Sequence, residues 1–181
     1  MIPHMGGALI ADKLYDLTKD TIKDGDTIVE IGCWLGATTY PIMQALGFKQ
    51  ISYISIDRWK ASESEVRKAG EQGVEIRLGQ NLLPMYLNNI AEVTVADHLC
   101  FQKEIKEIQR VDRSVKMLVL DAGKKQRDFE LIMRMIRPQV MVLQDYFSDQ
   151  VPYQREWMKD APFELIDDCR PLTSCGIFKR I

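Results

Sequence analysis

Residues 28–36 read Ile28-Val29-Glu30-Ile31-Gly32-Cys33-Trp34-Leu35-Gly36. A strand that only fills a core has no use for Glu30. A connection that only turns the chain does not place a tryptophan between two glycines. The run therefore predicts a buried strand over about 27–31 that delivers a carboxylate to a glycine loop shaped for a ligand.

Outward from this stretch, strands and helices alternate. Ile10, Leu14, Leu17 and Ile22 recur at helical spacing, so 8–22 reads as a helix ended by Lys23-Asp24-Gly25-Asp26. Thr38 and Thr39 are candidate caps of a helix with Pro41 in its first turn and Gly47 past its end. A second strand, 51–56, stops at Asp57; a short helix is expected over 62–69, an extended piece over 74–78, and a helix through Leu83, Tyr86, Leu87 and Ile90. A third strand lies near 98–102. Val115 to Leu120 is a near-continuous apolar run ending at Asp121, as expected of a strand covered on both faces. Phe129, Ile132, Met133 and Ile136 then mark a helix that stops before Pro138, and Val140 to Leu143 is the next buried strand, close to Asp145. A helix over 151–159 and strands near 163–167 and 174–179 complete a doubly wound α/β pattern with parallel central strands.

The chain has 181 residues, 46% of them hydrophobic, which is enough for one domain, 1–181, with a core that needs no disulfide or metal staple. Its net charge is −2 with the charges interspersed, so no basic face tracks a phosphate backbone and nucleic acid is disfavoured as a partner. Cys33, Cys100, Cys169 and Cys175 form no CxxC pair, and His4 and His98 lie far apart, so spacing reveals no zinc site. Scattered thiols and the absence of any apolar run near the roughly 18 residues of a membrane span lead us to expect a soluble, cytoplasmic protein.

Open α/β sheets bind ligands beyond the carboxyl ends of their strands. Here those ends carry Glu30 with Gly32 and Gly36, then Asp57, Asp121 and Asp145. The loop is not G-x-G-x-x-G, because Trp34 replaces the glycine that would let a pyrophosphate approach, and no Walker pattern is present. It resembles motif one of the class I S-adenosylmethionine-dependent methyltransferases, E-x-G-x-x-x-G, with Asp57 in the place of the acid that ends strand two. That resemblance implies a Rossmann-like, mostly parallel seven-stranded sheet with an antiparallel last strand and helices on both faces. It also implies a cofactor site comprising Glu30, Gly32, Trp34, Gly36, Asp57, Trp59, Gln102 and Asp121, in which the glycines admit the methionine end, Glu30 meets its amine and Asp57 takes the ribose hydroxyls.

Leu120-Asp121-Ala122-Gly123-Lys124 and Pro138 to Tyr146 resemble the corresponding segments of small-molecule O-methyltransferases of the macrolide- and cephalosporin-tailoring type (methyltransferase family 24-like), without their histidine and paired glycines. Asp121 and Lys124 also resemble the D-x-x-K of catechol-type enzymes. Asp145 matches their second acid, with Tyr146 where asparagine would stand. This implies Asp121, Lys124 and Asp145 as catalytic residues, Asp121 and Asp145 as ligands for Mg²⁺, and a small-molecule acceptor. Other readings stay open: Trp34 and Trp59 serve equally as packing, Lys124 as a solvated helix turn, Gln102 as a surface residue, and 60–80 as a solvated face or a lid. A homodimer could complete the pocket, and a catalytically degenerate domain kept for binding partners is the alternative to an enzyme.

Overall fold

The structure is a computed structural model that describes residues 2–4, 7–108, 114–122 and 124–181. Seven strands, β1 (Thr27–Ile31), β2 (Ser52–Asp57), β3 (Asp97–Gln102), β4 (Val115–Leu120), β5 (Val140–Leu143), β6 (Phe163–Asp168) and β7 (Gly176–Arg180), form one sheet in the order β3-β2-β1-β4-β5-β7-β6. β1 is parallel to β2 and β4, β2 to β3, and β4 to β5, whereas β7 runs antiparallel to β5 and β6. The expected Rossmann-like sheet with its antiparallel last strand is what the chain adopts. None of the described helices is long and apolar enough to cross a membrane.

The helices are α1 (Ala11–Thr21), α2 (Thr39–Leu46), α3 (Glu63–Gly70), α4 (Leu83–Ile90), α5 (Gln126–Met135) and α6 (Pro152–Lys159). Alternate residues of each central strand face opposite sides. Ile28, Tyr53 and Val119 pack in one cluster with Leu14, Ile42 and Tyr86 of α1, α2 and α4. Val29, Leu118 and Met141 pack in another with Phe129, Ile132 and Met158 of α5 and α6. Burial on both faces explains why these strands read as continuous apolar runs, and it makes Glu30 an anomaly: it lies on the α2 side of a strand with no exposed residue.

Two local expectations are corrected. Residues 74–78 form no strand; the only pairing nearby is an isolated bridge between Lys60 and Asn81. Thr38 does not cap α2, for its backbone is already helical and its hydroxyl accepts a hydrogen bond from Gln144 Nε2 at 2.7 Å. Thr39 donates instead to Glu30 Oε2. Both hydroxyls were drawn to buried polar groups whose desolvation outweighs an unmade cap. By contrast α3 carries the full capping box, Ser62 with Glu65.

Candidate active site

The strand order reverses between β1 and β4, and a cleft of about 360 Å³ opens there beyond their carboxyl ends. Gly32 and Gly36 begin and end the loop above β1, both with positive φ, at 90° and 91°. A Cβ on Gly32 would stand 2.6 Å from the carbonyl oxygen of Asp121, and one on Gly36 would stand 2.9 Å from Ile90 Cγ2. These glycines therefore make room for the backbone after β4 and for α4. Gly32 borders the cleft; Gly36 does not.

Asp57 organises the loop. Its Oδ2 accepts from the Trp34 amide at 2.9 Å and its Oδ1 from the Trp59 amide at 2.6 Å. Trp34 and Trp59 are the described non-glycine residues with positive φ, 44° and 39°. One carboxylate thus holds two strained positions, each costing on the order of 1–3 kcal/mol. Burial pushes the Asp57 carboxyl above the usual range, against the lowering by those two amides. Each oxygen keeps a further lone pair, and Asp57 lines the cleft.

Glu30 sits behind the loop and does not line the cleft. It is 1% exposed; its Oε2 accepts from Thr39 Oγ1 at 2.7 Å and from Tyr53 OH at 2.8 Å, while Oε1 has no hydrogen-bond partner among the described residues. Burial raises its carboxyl from 4.5 to about 7, opposed by the Thr39 and Tyr53 hydrogen bonds. A raised acid favours the folded state in its neutral form. That stability is complete below the unfolded value of 4.5 and is lost as pH rises through 7. We therefore expect the unfolding free energy to fall by about 2.5 kcal/mol between pH 5 and 8 on account of Glu30. Glu30→Gln should remove this part of the slope in urea titrations at the two pH values, whereas an unchanged slope would place the titration elsewhere.

Across the cleft, Asp121 follows β4 and its amide donates to Ile31 O at 2.9 Å. Burial first, and then the charge of Asp145, push its carboxyl up to about 8, with Lys124 pulling the other way. Lys124 Nζ donates to Asp145 Oδ2 in a close ion pair. The three residues expected to be catalytic are therefore brought together; Gly123 lies outside the described residues.

Other expected residues fall elsewhere. Trp59 has no exposed surface: its ring tilts against Tyr86 at 5.1 Å and its Nε1 donates to Trp34 O. It props the loop from within the core. Gln102 donates to Arg58 O and lines a neighbouring depression rather than the cleft. The cleft instead gains Arg58, Ser62, Glu65, Lys103 and Glu104. Arg58 donates to Glu65 Oε2 at 2.9 Å, which ties the end of β2 to the start of α3. The Ser62-x-x-Glu65 spacing, a capping-box pattern, is the sequence signal that could have found those two residues.

A sequence profile of the methyltransferase domain matches residues 29–146, from β1 to just past β5. The chain belongs to the methyltransferase-domain family. It is a transferase enzyme by that membership. No curated protein matches it. Among solved structures it is similar to an rRNA methylase from Streptococcus thermophilus, with 9% identity, a TM-score of 0.55 and coverage of 92% of this chain and 93% of that one. It is also similar to M. jannaschii TYW2 in complex with AdoMet, with 11% identity, a TM-score of 0.56 and coverage of 98% and 78%. A third is CalS11, a TDP-rhamnose 3'-O-methyltransferase of calicheamicin biosynthesis, with 12% identity, a TM-score of 0.56 and coverage of 95% and 78%. At these identities the likeness is one of fold.

Within this methyltransferase domain the donor set does not fit the Mg²⁺ expected from the catechol-type resemblance. The described residues contain no group of three or more His, Cys, Asp or Glu side chains that could hold a metal ion. Asp145 is already ion-paired with Lys124, and Tyr146 packs edge-on against Phe147 and Phe178 at 4.8 and 4.7 Å. Mg²⁺ is commonly held by one or two carboxylates with waters completing six oxygens, but here Lys124 already engages one of the two candidate carboxylates.

Proposed function

We propose that this methyltransferase moves a methyl group from S-adenosylmethionine to a hydroxyl of a small-molecule acceptor, with Asp121 as the general base. The observation that carries this reading is the meeting of Asp57, Trp34 and Asp121 on one cleft at the switch point of the sheet. The residues present fit the cofactor: Asp57 offers lone pairs to a diol, and Trp34, which lines the cleft, carries a buried Nε1 with no partner among the described residues. The volume of about 360 Å³ lies within the range of small-molecule pockets. A net charge of −2 supports a small acceptor over a polyanion. Bound in this cleft, S-adenosylmethionine supplies an electrophilic methyl group on a sulfonium.

The chain's own contribution is positional and acid–base. Asp121, raised to about 8, ionises near neutral pH and takes the proton of the acceptor hydroxyl, the match a general base requires. The Lys124–Asp145 pair stands beside it and orients the carboxylate through charge. Holding the acceptor in line is worth on the order of 7–11 kcal/mol in well-oriented systems.

Calorimetric titration with S-adenosylhomocysteine, with and without Mg²⁺, tests the reading. Micromolar binding indifferent to Mg²⁺ is expected; no binding under either condition would overturn the proposal in favour of a degenerate domain. With any hydroxyl acceptor that turns over, the rate should climb as pH rises through about 8, because only the ionised Asp121 accepts a proton. A rate flat from pH 7 to 9 would remove Asp121 from the role.

A further inference from the structure

The hairpin that closes the sheet brings together two thiols that lie apart from the cofactor cleft. β6 and β7 pair with Asp168 opposite Gly176, so the next residues in register are Cys169 and Cys175. The Cys169 amide donates to the Cys175 carbonyl at 3.1 Å. The Cys175 amide turns instead to Thr173 Oγ1 at 3.0 Å, so the strand register and one backbone bond hold the two cysteines side by side at the end of the hairpin. Both are free thiols, 1% and 0% exposed. Cys33 and Cys100, by contrast, lie on β1's loop and on β3.

Because both thiols are buried, exchange requires local opening of the exposed 170–172 turn that joins them. The neighbouring Cys175 thiol draws the Cys169 thiol below its usual range, and Lys13, ion-paired with Asp167 at 2.6 Å, adds to this. The Cys169 thiol and burial together push Cys175 up. One thiol is therefore the better nucleophile and the other the resolving partner. Between them the exposed turn Arg170-Pro171-Leu172 leads back to the active-site side of the sheet. Ser174 O accepts from the Phe147 amide at 2.8 Å, and the Arg170 guanidinium covers the Phe147 ring at 3.8 Å. Phe147 stands two residues beyond Asp145.

We propose that Cys169 and Cys175 form a reversible disulfide with a low-molecular-weight disulfide such as oxidised glutathione, and that closure locks the 170–174 turn on which Phe147 rests. The Cys169 thiolate attacks one sulfur of glutathione disulfide, that S–S bond breaks, and one glutathione leaves as its thiol. Cys175 then attacks the Cys169 sulfur and displaces the second glutathione. The protein loses two electrons and two protons, and the glutathione disulfide is reduced to two thiols. The closed ring spans a short loop, so its effect is confined to the turn and to Phe147.

Equilibrating the full chain in glutathione buffers of graded redox ratio, followed by acid quench, denaturing alkylation and peptide mass spectrometry, tests this. Cys169 and Cys175 should lose alkylation together and appear as one cross-linked pair, while Cys33 and Cys100 stay alkylated. Hydrogen exchange at 170–174 and at the Phe147 amide should slow by about tenfold or more in the oxidised form. Cys175→Ser should stop at a glutathione adduct on Cys169; the wild-type map decides the matter if that variant fails to fold. Thiols that remain alkylatable in the most oxidising buffer, a persistent wild-type adduct, or unchanged exchange after cross-linking would each overturn the proposal. None of these readouts depends on S-adenosylmethionine binding.

Discussion

Gly32→Ala is expected to lower the unfolding free energy by about 4 kcal/mol, a large part of the 5–15 kcal/mol that holds a domain folded. Two effects add. At φ 90° a side chain is strained, at a cost on the order of 1–3 kcal/mol. The new Cβ would also lie 2.6 Å from Asp121 O and 2.7 Å from Asp121 C, and overpacking of this kind adds about 1–3 kcal/mol. The backbone cannot give way, because the Gly32 amide is bonded to Ile56 O and the Asp121 amide to Ile31 O, each at 2.9 Å. Gly25→Ala is the control: its φ is 85°, yet a Cβ there meets nothing within 4 Å, so a loss of about 1 kcal/mol is expected. Urea denaturation of the two variants separates strain from overlap. Equal losses would show that the Asp121 backbone does not crowd Gly32. The result matters for the site, since a Gly32 variant that fails to bind cofactor reports a damaged strand junction as much as a blocked pocket.

Asp57→Ala should abolish detectable S-adenosylhomocysteine binding, a loss of at least about 100-fold, and cost about 3 kcal/mol of stability. The stability loss arises because the Trp34 and Trp59 amides lose their shared acceptor while still held at positive φ. The binding loss arises because the cleft loses the carboxylate assigned to the ribose hydroxyls. Asp57→Asn separates the two. Its amide oxygen still accepts from one backbone N–H, so it should recover part of the stability while binding remains at least about tenfold weakened. Calorimetric titration and urea denaturation on the same samples read both quantities. Wild-type affinity in Asp57→Asn would assign the carboxylate to the loop alone.

Much of this protein was legible residue by residue. The order of strands and helices, the turn after α1, and the acids at the ends of β2 and β4 depend on periodicity and turn chemistry, which act over a few residues. So does the placing of Asp121 and Asp145 at one edge, since parallel neighbouring strands bring their carboxyl ends together, whereas Lys124 entered through the catechol-type resemblance. The tertiary structure alone decided what each group meets there. Thr38 and Thr39 left the helix cap because Gln144 and Glu30 are buried beside them; Gly36 faces Ile90 of α4, and Trp59 sinks into the core against Tyr86. Arg58, Glu65 and Glu104 joined the cleft, and Cys169 came opposite Cys175. Those outcomes turn on which distant backbone or side chain occupies the facing space. A short-range pattern carries no information about that, because burial and desolvation are summed over the whole fold.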